Sequence, residues 1–109
     1  MGAVEEGRAA LASGAWGAAR DAFAQVGRDA PEALEGLAQA AWWLDDAPTV
    51  LAARERAYRL YRKRGDRLGA ARAATALAWD SVLFGVGSTV AIGWLGRARS
   101  LLAALPESC

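Results

Sequence analysis

Histidine is absent from the 109-residue chain, and cysteine occurs once, at position 109. The usual raw material of metal sites, of acid–base pairs and of Cys–His nucleophiles is therefore missing, and no internal disulfide can form. Three Pro and 23% charged residues against 54% hydrophobic ones exclude a disordered tail, a collagen-like repeat and a disulfide scaffold. β-branched residues are few and nowhere alternate over the length of a strand. The start, Met1 to Glu6, lacks the basic and apolar segments of a signal peptide. A reducing, cytoplasmic location is the expectation. The uncharged run from Ser81 to Gly96 is shorter than a membrane span of about 20 residues, and a turn at Gly85 to Ser88 interrupts it. No membrane contact is expected.

What is present points to helices. Alanine makes up about a quarter of the residues, a strong helical prior. Breakers at 13–14, 30–31, 45–48, 65–66, 85–88 and 106 cut the chain into six segments of helical length. They run from about Ala3 to Ala12, Ala15 to Val26, Pro31 to Leu44, Pro48 to Arg64, Arg67 to Phe84, and from after Ser88 to Leu105. Pro31 suits a first helical turn, and Arg62, Lys63 and Arg64 before Gly65 suit a helix end. Links of two to five residues make neighbouring helices antiparallel. The expected fold is all-α, three helical hairpins at about 1–30, 31–64 and 65–105 with a tail at 106–109. On the fourth segment Val50, Arg54, Ala57, Tyr58 and Tyr61 share an inward face, Arg54 by its aliphatic stem.

Charge is balanced overall at +1 but unevenly placed. Met1–Ala53 holds three Arg and eight acids, a net of −5, whereas Arg54–Arg72 holds eight bases and two acids, a net of +6. Such a dipole could draw copies together head to tail; the plainer reading is of charged outer helix faces. Acids interrupt the basic stretch, and its residues spread over several faces, so nucleic-acid binding is not expected.

The first hairpin carries a pattern. Gly14 lies at the turn, with Trp16 two residues on, Ala19 five, Phe23 nine and Pro31 seventeen residues on, and Gly7 sits in the preceding helix. Gly permits the turn, Ala19 lets two helices close, and Phe23 fills the groove between them. Together these residues resemble a tetratricopeptide repeat, which implies a right-handed solenoid of stacked hairpins. The second unit has Asp45-Asp46 in place of the turn Gly and Arg54 in place of the large aromatic. A narrower resemblance rests on the run Pro31 to Leu37, on Trp42-Trp43-Leu44, on Ala52 to Arg62 with Gly65-Asp66, and on Gly93-Trp94-Leu95 leading to Arg97 through Leu102. These are similar to the helical-repeat region of actinobacterial LuxR-type transcriptional regulators, over nearly the whole chain. In that family a helix-turn-helix DNA-binding domain follows the repeats. Only Pro106 to Cys109 follow here, so direct DNA binding is not expected to carry over.

The last two helices are apolar well around their circumference, where a solenoid end calls for a polar cap. Self-association through Trp94, Leu95, Leu101, Leu102 and Leu105 is the expectation, with Gly93 and Gly96 allowing close approach. In repeats of this kind the first helix of each hairpin lines a groove. That implies Val4, Arg8, Leu11, Glu35, Gln39, Trp42, Thr75 and Trp79, with Arg8, Glu35, Gln39, Trp42 and Trp79 as partner contacts. Most of the five tryptophans are expected in the core. Asp45 and Asp46 read as helix caps. Gly85 to Thr89 reads as a turn, with no Lys after it and no strand before it to make a phosphate loop. No catalytic residue, cofactor or metal is expected. The function anticipated is non-enzymatic: binding a protein partner or another copy. The alternatives are an effector pocket floored by Trp42, Tyr58 and Trp79, and a cryptic enzyme.

Overall fold

Six helices, α1 (Ala3–Ser13), α2 (Trp16–Val26), α3 (Pro31–Trp43), α4 (Ala47–Arg64), α5 (Arg67–Leu83) and α6 (Ser88–Ala103), make up nearly all of the described part of the chain, residues 2–27 and 29–103 of a computed structural model. No strand occurs among the described residues. The boundaries lie within one or two residues of those expected, except that the anticipated end of the sixth helix, at Leu105, lies outside the described residues.

One local device ends four of these helices. Gly14, Asp45, Gly65 and Gly85 all take positive φ, at 79°, 60°, 79° and 72°. In each case the next residue donates its N–H back across the turn: Ala15 to the Ala10 carbonyl at 2.8 Å, Asp46 to Ala41 at 2.9 Å, Asp66 to Tyr61 at 2.9 Å, Val86 to Ser81 at 2.8 Å. This closes the orphan carbonyls of the last helical turn and reverses the chain. Asp45 takes the left-handed conformation where the first hairpin uses Gly14; Asp is one of the few side chains that tolerate it. Asp46 and Asp66 then cap the helices that follow, accepting from the N–H of Thr49 and Gly69 at 3.4 and 2.9 Å.

Each helix packs mainly against its sequential neighbours, and α1 also touches α3. The described chain measures 36 × 32 × 24 Å. The core divides in two. Ala19, Phe23, Ala33 and Ala40 form one cluster, and a larger one runs from Leu34 and Ala38 through Val50, Ala57, Tyr58 and Tyr61 to Ala74, Leu77, Ala98 and Leu101. Helix α3 serves both, Ala33 and Ala40 on one side and Leu34, Ala38 and Ala41 on the other. Phe23 is the main large ring of the first cluster. It lies between two glycines: a Cβ on Gly7 would come within 2.6 Å of its ring and one on Gly36 within 2.4 Å. These glycines cost helix propensity, and the close seat of the ring between α1 and α3 is what they give in return. The same contact recurs further on, where Gly69 faces the Tyr61 ring.

The apolar run 81–96 is divided by the turn at 84–87 between α5 and α6. Among the described residues no helix is long and apolar enough to cross a membrane.

Candidate functional site

The groove expected along the first helices of the hairpins is present in part and divided. Arg8, Glu35 and Gln39 border one hollow of about 250 Å³, together with Leu11 and Arg72. Trp79 and Thr75 border a second, more apolar hollow of about 510 Å³ with Leu68 and Leu102. Arg72 edges both and joins them. Trp42 lies in neither. It packs edge-on against Trp43 at 5.1 Å between ring centres, and Trp43 stacks on Trp16 at 4.8 Å with the planes nearly parallel. Tyr58 is buried against Trp94. The three residues expected to floor an effector pocket, Trp42, Tyr58 and Trp79, thus occupy three separate environments.

A polar network that sequence reasoning missed underlies the first hollow. Glu35 of α3 accepts two hydrogen bonds from Arg72 of α5, both at 2.8 Å, and one from the hydroxyl of Tyr61 on α4. Arg72 also donates to the Tyr61 oxygen at 3.1 Å. Three helices are joined by one carboxylate. Burial by itself raises the Glu35 carboxyl, but the bonds from Arg72 and Tyr61 and the charges of Arg72 and Arg54 outweigh it and hold the group below its ordinary 4.5. Burial, followed by the bond to Glu35 and its charge, pushes the Tyr61 hydroxyl above its ordinary 10.0.

The pH dependence follows from these directions. Glu35 is harder to protonate folded than unfolded, so its stabilisation is full above pH 4.5 and is lost as pH falls through the lower folded value. Tyr61 is harder to deprotonate folded, so its contribution is full below pH 10.0 and is lost as pH rises through the higher folded value. Glu35→Gln is expected to cost about 1 kcal/mol at neutral pH, below the roughly 1.5–3 kcal/mol of a charged hydrogen bond because Arg72 is half exposed, and to flatten the acid limb. Urea unfolding between pH 3 and 7 measures both; an unchanged acid limb in the variant contradicts the assignment.

A second buried pair ties α4 to α5. Arg54 lies inward as expected, but its guanidinium is also enclosed, donating to Asp80; their side chains are 16% and 6% exposed. Arg54 is thus one half of an ion pair. Other charges of the basic stretch also meet partners within the molecule. Arg56 pairs with Asp29 at 2.6 Å, Arg64 with Glu32 at 2.8 Å, Arg72 with Glu35, and Arg59 with Glu55. Three of these contacts join the basic stretch to the acidic first half. Folding thus offsets part of the charge separation along the sequence.

Most of the exposed large apolar side chains among the described residues lie at the α5–α6 end. Trp79, Val82, Leu83, Ile92, Leu95 and Leu102 are 65%, 56%, 62%, 68%, 47% and 48% exposed. Of the residues expected to mediate self-association, Leu95 and Leu102 lie on this surface. Trp94 is half-buried on Tyr58, with Arg97 4.4 Å above its ring. Leu101 requires a correction: it is 5% exposed and belongs to the core, because positions 98 and 101 form the inward stripe of α6. Leu105 lies outside the described residues. The expectation of mostly buried tryptophans is corrected too. Trp42, Trp43 and Trp79 are exposed and Trp16 and Trp94 half-buried, since the inward positions of these helices are mostly alanine and the rings seated among them are Phe23, Tyr58 and Tyr61.

Among the described residues there is no group of three or more His, Cys, Asp or Glu placed to hold a metal ion. No protein-family model, no curated protein and no solved structure matches this chain.

Proposed function

We propose that this chain is a non-enzymatic protein-interaction module: three hairpins stacked as a right-handed, tetratricopeptide-like solenoid that associates through its α5–α6 end, with a second copy as the simplest partner. The observation that carries the reading is the run of exposed Trp79, Val82, Leu83, Ile92, Leu95 and Leu102 on two adjacent helices. Single exposed apolar residues are ordinary, but six of them on two helices packed together support an interface there. Support for the solenoid comes from packing of each helix mainly on its sequential neighbours and from Phe23 seated between Gly7 and Gly36. The resemblance of Pro31–Leu37, Trp42–Leu44 and Ala52–Arg62 to the repeat region of LuxR-type regulators favours a cytoplasmic, regulatory setting for such a module. The reading gives the described helices no part in contacting DNA.

The test is molecular mass across concentration by sedimentation or light scattering. The wild-type chain is expected to grow heavier with concentration. Leu83→Glu and Ile92→Glu, both at exposed positions and so harmless to the fold, are expected to weaken association at least tenfold. A wild-type chain that stays monomeric up to millimolar concentration contradicts the self-association, and capture of a different helical protein on the same residues replaces the second copy as partner.

A further inference from the structure

A separate cavity lies where two helices fail to meet. Helix α3 packs against both α2 and α4, which have no extensive contact with each other. Small residues face the gap, Ala24 from α2 and Ala52 and Ala53 from α4. The space left is about 410 Å³, within the range of about 300–1,000 Å³ typical of small-molecule sites. Its apolar surface includes Phe23, Leu34 and Leu37.

Among the described lining residues only Thr49 and Arg56 carry polar side chains. The Thr49 hydroxyl is engaged, donating to Asp46 at 2.6 Å. Arg56 is therefore the charge that a guest would meet. One of its partners is Asp29, in the link between α2 and α3, whose side chain is 87% exposed. Water competes strongly for a carboxylate so exposed, so a carboxylate from a guest can take its place on the guanidinium.

We propose that this cavity binds a small amphipathic carboxylic acid, its aliphatic body on Phe23, Leu34 and Leu37 and its carboxylate on Arg56 in place of Asp29. Among the described lining residues Arg56 alone is charged, which distinguishes this guest from a neutral lipid, which cannot exchange with Asp29, and from a cation, which it repels. The site is independent of the α5–α6 surface.

Calorimetric titration with decanoate, below its micellar concentration, tests the proposal, with decanol as the uncharged counterpart. Decanoate is expected to bind saturably at one equivalent and at least tenfold more tightly than decanol. Arg56→Gln is expected to weaken decanoate at least tenfold and leave decanol unchanged. Ala52→Trp and Ala24→Trp, from opposite walls and at exposed positions, are expected to abolish binding of both while helical circular dichroism is retained. Absence of saturable decanoate binding, equal affinity for decanol, or undiminished binding to both folded cavity-filling variants overturns it. The last outcome places the aliphatic chain elsewhere, with the hollow beside Trp79 the first alternative.

Discussion

Phe23→Ala is expected to lower the unfolding free energy by about 3–5 kcal/mol, a large share of the roughly 5–15 kcal/mol available to a domain of this size. The ring is 2% exposed and is the main large side chain of the cluster joining α1, α2 and α3. Its removal leaves a void that two glycines and neighbouring alanines cannot fill. The reverse change is informative too. Alanine is favoured over glycine in a helix by about 1 kcal/mol, so Gly→Ala at an open helical position is stabilising. Gly93 is such a position, with nothing within 4 Å of a Cβ. Gly36→Ala would bring a methyl group to 2.4 Å from Phe23, and the ring cannot withdraw because Gly7 backs it on the other side. A net loss of about 1–3 kcal/mol is expected there, against a gain at Gly93. In the double variant Phe23→Leu/Gly36→Ala the two costs are expected to fall short of additive, because the smaller side chain makes room for the methyl. Urea unfolding followed by circular dichroism measures all of these, and a stabilised Gly36→Ala variant would contradict the packing.

The Arg54–Asp80 pair carries the second large effect. Both side chains are nearly enclosed, and each satisfies the other. Replacing one partner leaves a buried charge without compensation, at a cost of about 3–5 kcal/mol. Arg54→Met and Asp80→Leu are each expected to lose that much. The double variant is expected to recover most of it, because two apolar side chains of similar volume leave no charge to desolvate. Additive losses in the double variant would mean that the two groups do not act as a pair.

The helices and their ends are legible in the sequence because the signals are local. Pro31, Asp46, Asp66, Gly14 and Gly65 act within a few residues of where they stand. The role of Phe23 is legible for a related reason: Gly7, Gly14, Ala19 and Phe23 form one spaced pattern within a single hairpin. The polar ties are not legible. Arg54 and Asp80 stand 26 residues apart, and Glu35 and Arg72 stand 37 apart. Nothing in the periodicity of either helix says which face of the next one it will meet. Arg54 illustrates this: its inward position follows from spacing, but the carboxylate that receives it does not. The candidate groove fails at Trp42 for a similar reason. An indole at the end of α3 is drawn to Trp43, which in turn stacks on Trp16 from another hairpin. On α6 the apolar composition announces a surface, but only packing against α5 separates Leu101, which turns inward, from Leu95 and Leu102, which do not.

Methyl-resolved NMR of the wild-type chain over a dilution series decides whether the α5–α6 end binds another helical layer, as proposed. Concentration-dependent shifts confined to the methyl groups of Val82, Leu83, Ile92, Leu95 and Leu102, with those of Val4, Leu11 and Val26 unmoved, are the predicted result. Methyl spectra that do not change with concentration, or that change first on α1 and α2, would contradict it.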